Sequence, residues 1–120
     1  MTHVKGRRVY LSGPMTGMED WNKAAFDAAE KWLVCEPFDV MGIYNPADNI
    51  DEMRYLSHEE AMYLSMHSLM SIDVADSKFV PYYEVFVSLP GWEQSAGARL
   101  EREVAVACGI EVCELAEVVE

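Results

Sequence analysis

The segment Ser95-Ala96-Gly97-Ala98-Arg99-Leu100-Glu101 carries the strongest chemical pattern in the chain. Ser95 is of the type that caps a helix, and Gly97 leaves backbone amides open at a helix start, where anions are favoured. Glu101 then falls in the first or second turn, where the helix field lowers the pKa of a carboxyl and keeps it an ionised nucleophile at neutral pH. A carboxylate so placed suits sugar chemistry. The same residue has a structural use, complementing the helix dipole or pairing with a neighbouring arginine. The cluster Arg99-Leu100-Glu101-Arg102-Glu103 allows both, because two guanidinium groups either grip a phosphate or neutralise Glu101 in an ion pair.

A second pattern is the turn Ser12-Gly13-Pro14-Met15-Thr16-Gly17, with two glycines and two hydroxyls at the end of a short apolar run. This is the composition of a phosphate or ribose loop, and equally of a plain turn that needs glycine for positive φ. It is neither a Walker loop nor a dinucleotide fingerprint, since no Gly-Lys-Ser/Thr and no GxGxxG spacing is present. His3, His58 and His67 form no HxxxH or carboxylate–His pattern, so no metal is expected. Cys35, Cys108 and Cys113 are odd in number and lack CxxC spacing, which predicts reduced core cysteines. The eight methionines, Met53, Met62, Met66 and Met70 among them, read as core filling.

The elements that must position these residues alternate. Arg8 to Ser12 predicts a buried strand closed by Gly13-Pro14. A helix is expected from Asp20 to Val34, with Trp21, Ala25, Ala28, Trp32 and Leu33 as its apolar stripe. Val40 to Tyr44 predicts a second strand, stopped by Asn45-Pro46. Ser57-His58-Glu59-Glu60 has the form of a capping box, and Ala61, Leu64, Leu69 and Ile72 continue at helical intervals. The end of that helix is open, because Asp73 to Lys78 can extend it and Pro81 must interrupt it. Tyr83 to Leu89 reads as a third strand, Ala98 to Cys108 as a third helix ending at Gly109, and Ile110 to Cys113 as a fourth strand. Strand and helix in alternation predict right-handed βαβ units, a parallel sheet of four to five strands, and helices on both faces: a Rossmann- or flavodoxin-like α/β three-layer sandwich. Ligands of such sheets bind beyond the carboxyl ends of the strands, here the turns SGPMTG, NPAD and LPGWEQSAG.

The chain has 120 residues, 51% of them apolar, which fits one domain spanning 1–120. Nine Lys and Arg against 21 Asp and Glu leave a net charge of −12, a poor match for a nucleic-acid backbone. An anionic ligand must be held locally, so a small molecule is the expected partner. With neither a signal-peptide pattern nor an apolar run of membrane-spanning length, the expectation is a cytoplasmic protein without membrane contact. The acidic stretch after Cys113, ELAEVVE, is expected as a solvated end or a partner-facing helical turn.

The strings YLSGPMTG, NPA and LPGWEQSAGARLE resemble the phage and bacterial proteins known as DUF4406, which in turn resemble nucleoside 2-deoxyribosyltransferases and 2'-deoxynucleoside 5'-monophosphate N-hydrolases. The likeness runs from about Val9 to Val112. It implies a deoxyribosyltransferase-like fold and cleavage or transfer at the N-glycosidic bond of a 2'-deoxynucleotide or 2'-deoxynucleoside, with no cofactor and no metal. Glu101 matches the glutamate that attacks the anomeric carbon. Asp73 matches the aspartate that helps protonate the leaving base, and Asp76 is its rival because the stretch from Asp73 to Glu84 is about three residues longer than the spacing usual in those enzymes. Tyr10 matches the tyrosine near the nucleophile, or is a packed strand aromatic. Gly13, Gly17, Ser95 and Gly97 would hold phosphate or sugar hydroxyls, and Ser12 and Pro14 of the same turn are counted with the substrate-binding residues. Met15, Asn45 and Trp92 are candidates for base contacts, Trp92 being equally a packed loop or dimer contact. Ser95 stands where enzymes acting on free nucleosides tend to carry an aspartate, which favours monophosphates. Arg99, Leu100 and Glu103 depart from the enzymes' pattern, and the segment that completes a neighbouring subunit's pocket is short. The alternative implied is a non-catalytic module that binds a nucleotide or nucleotide-derived signal. Relatives of this kind assemble with sites near subunit contacts, so a homodimer or larger is expected.

Overall fold

The computed structural model describes residues 1–120. Its strands are β1 (Thr2–His3), β2 (Arg8–Ser12), β3 (Gly42–Tyr44), β4 (Ile72–Ala75), β5 (Lys78–Pro81), β6 (Val85–Ser88), β7 (Glu111–Glu114) and β8 (Val118–Val119). Its α-helices are α1 (Lys23–Val34), α2 (Ile50–Met53), α3 (His58–Leu69) and α4 (Ala96–Ala107). Four strands form a parallel sheet in the order β3-β2-β6-β7, with Tyr10 opposite both Tyr44 and Phe86. The chain moves outward from β2 to β3 and then returns to the other side of β2, so the direction of winding reverses between β2 and β6. A crevice opens there beyond the carboxyl ends of these strands.

Alternation along the strands divides the core. Val9, Leu11, Val85 and Val87 face α1 and pack with Phe26, Ala29 and Leu33. Tyr10 and Phe86 face the opposite way and pack with Leu69 of α3 and Ala105 of α4. Helices therefore cover both faces, as a buried parallel sheet requires.

Several local expectations need correction. Helix α1 starts at Lys23 rather than Asp20, because Asp20, Trp21 and Asn22 hold left-handed backbone at φ 47, 56 and 63°. Its buried stripe is Phe26, Ala29 and the expected Leu33, while the expected Ala25, Ala28 and Trp32 are exposed, Trp32 by 45%. Helix α3 stops at Leu69, and the stretch that could have extended it is the antiparallel hairpin β4–β5, turned by Asp76 and Ser77 at φ 51 and 64°. Leu64 and Ile72, expected on the core face of α3, are both exposed. Cys35 is exposed, Cys113 is buried, and all three thiols are free. The terminal acidic stretch keeps Glu114, Ala116, Glu117 and Glu120 exposed but is not a free end. It makes a short 3-10 turn and then strand β8, which pairs with β1 and buries Val118.

The turn after β2 is built on close approach. Leu89 N–H donates to the Ser12 carbonyl at 2.8 Å, and a Cβ added to Gly13 would lie 2.8 Å from Leu89 Cβ. Only glycine lets the ends of β2 and β6 come together here.

Candidate active site

Glu101 is the sixth residue of α4 and projects toward the end of β2. The Tyr10 hydroxyl donates to its Oε2 at 2.6 Å, and the Ser12 hydroxyl donates to its Oε1 at 2.9 Å. Tyr10 and Ser12 alternate in β2 with inward Leu11, so both reach the α4 side of the sheet. The Tyr10 ring is fully buried, stacked 4.5 Å from Tyr44 and 5.6 Å from Phe86. The Ser65 carbonyl lies 3.1 Å from the same hydroxyl, giving the phenolic proton a second acceptor within reach.

The electrostatics differ from the expected helix effect. Burial pushes the Glu101 carboxyl above the ordinary carboxylate range, while the bonds from Tyr10 and Ser12 pull in the opposite direction without overcoming it. The second turn of a helix is already beyond most of the dipole's reach, so desolvation wins. Burial and the neighbouring Glu101 charge hold the Tyr10 hydroxyl well above its usual pKa, so it stays a neutral donor.

Glu101 forms part of the wall of a cleft of about 440 Å³. Gly13, Met15, Thr16 and Trp21 form one side, and Ser95, Gly97 and Ala98 at the start of α4 form another. The remaining side runs from Met53 through Ser57 and His58 to Met62 and Ser65. Ser95 caps α4, its hydroxyl accepting from the Ala98 amide at 3.2 Å. The amides of Ala96 and Gly97 precede the first intrahelical bond and face no protein acceptor, as expected at a helix start.

Of the residues singled out from the sequence, Gly13, Met15, Ser95, Gly97 and Glu101 line this cleft, with Tyr10 and Ser12 gripping Glu101 from below. Pro14 and Gly17 belong to the same turn but not to the wall; Asn22 Nδ2 donates to the Pro14 carbonyl. Asn45 is buried elsewhere, bonded to Asp27 and to the Ala47 amide as a local cap. Trp92 is held by Glu114 through its indole N–H at 3.0 Å and by Arg102, whose guanidinium sits 4.0 Å above the ring. Arg102 is thus engaged with Trp92, and neither it nor Arg99 forms an ion pair with Glu101.

Asp73 is on the hairpin, 3.4 Å from the Arg8 guanidinium at the far end of β2 from Ser12, and Asp76 is in the hairpin turn. Neither lines the cleft. The sequence reading missed Trp21, Met53, Ser57, His58, Met62, Ser65 and Gln94 as wall residues, and had Thr16 only as a hydroxyl of the glycine turn. The capping box had marked Ser57 and His58 only as a helix start, with no signal of what that start would face. No three His, Cys, Asp or Glu side chains converge anywhere as a metal site would need. No helix is long and apolar enough to cross a membrane.

An α/β chain with a parallel sheet and a buried carboxylate in a cleft at its strand ends is the class these features define. A family model described as a domain of unknown function, DUF4406, matches residues 7–114. The chain belongs to that family. No curated protein and no solved structure matches it.

Proposed function

We propose that the chain cleaves or transfers at the N-glycosidic bond of a 2'-deoxynucleotide or 2'-deoxynucleoside, on a nucleoside deoxyribosyltransferase-like fold, with Glu101 as nucleophile. The observation that carries this reading is the Glu101 carboxylate, gripped by Tyr10 and Ser12 and lining a cleft of about 440 Å³. That volume is in the range of small-molecule sites. The two hydroxyl donors fix the carboxylate's direction, which is what in-line attack on an anomeric carbon demands. Attack forms an ester between Glu101 and C1' as the bond from C1' to the base nitrogen breaks, its electron pair leaving with the base. Water, or a second base, then displaces Glu101. The Ala96 and Gly97 amides and the Ser95 cap offer a place for a 5'-phosphate beside that carbon, favouring monophosphates over free nucleosides.

Incubation with a panel of 2'-deoxynucleoside monophosphates and nucleosides, followed by chromatography for free base, tests the reading. Base release by the parent and its loss in Glu101→Gln are expected. A parent that releases no base from any compound overturns it.

One observation favours the second reading, a nucleotide-binding module without cleavage: both aspartates implied as proton donors lie off the cleft wall. Nucleotide-dependent thermal stabilisation with no base release is its expected outcome. For either reading self-association is proposed, supported by the exposed Tyr63, Ile72, Val74 and Phe79 on α3 and the hairpin. Sedimentation of the parent against Phe79→Asp checks it.

A further inference from the structure

The glycosidic reading leaves the departing base without a proton, since Asp73 is paired with Arg8 and Asp76 turns a hairpin, both off the cleft wall. Among the residues of that wall, only Glu101 and His58 have side chains of a type that serves as a general acid or base. The hydroxyls of Thr16, Ser57, Ser65 and Ser95 do not.

His58 is the first residue of α3, set by the Ser57 cap, whose hydroxyl accepts from the Glu60 amide at 3.1 Å. Its Cε1 lies 4.0 Å from the place a Cβ on Gly97 would occupy. Gly97 precedes Glu101 by one helical turn, a rise of about 6 Å. The imidazole therefore stands over the start of α4, on the wall of the same cleft that the Glu101 carboxylate lines. The absence of a side chain at 97 keeps that approach open; a Cβ there would also meet Met62 Sδ at 3.2 Å. His58 is exposed and makes no hydrogen bond or ion pair within the protein, so both ring nitrogens are available to a ligand. On its own helix, Glu59 and Glu60 follow it, with the Glu60 carboxylate accepting from the Ser57 amide. The facing walls are Met53 and Leu56 on one side and Gly97 and Ala98 on the other, which leaves Glu101 as its charged partner in the cleft.

We propose that His58 carries the proton of the glycosidic step, an assignment that rests on the reading of Glu101 as nucleophile. As Glu101 bonds to C1' and the C1'–N bond breaks, a protonated His58 gives its N–H proton to the base nitrogen that takes the electron pair. The neutral imidazole then accepts a proton from the water that attacks C1', which frees Glu101 as a carboxylate and restores the imidazolium. Atoms and charge balance over the two steps, and no further reactant is needed.

The test compares a 2'-deoxyguanosine monophosphate with its N7-methylated counterpart, whose cationic base departs without a proton. His58→Gln is expected to lose about 100-fold or more in kcat on the unmodified substrate and only a few-fold on the methylated one. Glu101→Gln should lose both substrates. His58→Asn repeats the comparison, and melting curves matching the parent show that both variants are folded. Equal loss on the two substrates overturns the assignment while leaving Glu101 as nucleophile. So does a rise in KM on both monophosphates with kcat unchanged, which would make His58 a phosphate contact. A parent inert toward both substrates, and indistinguishable from Glu101→Gln, overturns the nucleophile reading and this assignment with it.

Discussion

Tyr10 and Glu101, 91 residues apart in the chain, meet at 2.6 Å, with the phenol in the central strand of the sheet and the carboxylate on α4. The bond ties the nucleophile candidate to a fully buried part of the core, where Tyr10 is stacked between Tyr44 and Phe86. Loss of the hydroxyl alone removes one of the two donors that oppose the effect of burial on Glu101. Tyr10→Phe should therefore push the Glu101 pKa further up and move the low-pH limb of the rate profile upward. Base release at neutral pH should fall about 10- to 100-fold, with KM little changed. A rate profile identical to the parent's would show that the hydroxyl does not act on the carboxylate.

Burial holds the folded-state pKa of Glu101 above its value in the unfolded chain. The folded protein thus binds that proton more tightly, and the stability linked to it is present at low pH and lost as pH rises through the folded pKa. Glu101→Gln keeps an acceptor for Tyr10 and carries no charge. It should melt ~2–5 °C above the parent near pH 8, an advantage that shrinks as pH falls toward 4.5. Calorimetry across that range checks the sign; a variant less stable at high pH would contradict it.

Gly13→Ala places a Cβ 2.8 Å from Leu89 Cβ, an atom fixed to its own backbone and unable to swing away. The ends of β2 and β6 must separate to admit it. A loss of about 1–3 kcal/mol in urea unfolding is expected, together with weaker ligand binding as the turn withdraws from the cleft.

Asp73→Asn separates the role implied by resemblance from the position observed. The Arg8–Asp73 pair is partly solvated, so its loss should cost no more than about 1 kcal/mol. Because the carboxylate lies off the cleft wall, base release should match the parent's. A large fall in kcat with unchanged stability would restore Asp73 as the acid.

Much of this architecture was legible in the residues. The four strands of the parallel sheet were placed to within a residue or two, because short apolar runs ended by Gly-Pro, Asn-Pro and Pro-Gly leave little freedom of assignment. The capping box at Ser57 and the cap at Ser95 both formed as their side chains require. The hairpin did not announce itself: Ile72, Val74 and Phe79 are apolar yet exposed, so a pattern that assumes burial carries the helix on to Ile72 and leaves the stretch after it open. The stripe of α1 runs through Phe26 and Ala29 to the expected Leu33 rather than through Ala25 and Ala28, because the larger Phe26 side chain buries more apolar surface on the sheet than the alanines beside it.

The sequence by itself determined the alternation of elements, the glycine turn after β2 and the carboxylate on α4, since each rests on local preference and short-range spacing. Only the tertiary structure decided what surrounds Glu101. The sheet order sets β2 against β6, brings Tyr10 and Ser12 beneath the carboxylate, and lays the start of α3 along the start of α4. It also turns the balance on Glu101 from the helix field to desolvation, because burial is a sum over distant segments that no local pattern contains. For the same reason Asp73, close in sequence to a plausible catalytic place, ends beside Arg8, while His58, marked in the chain only as a helix start, faces the cleft.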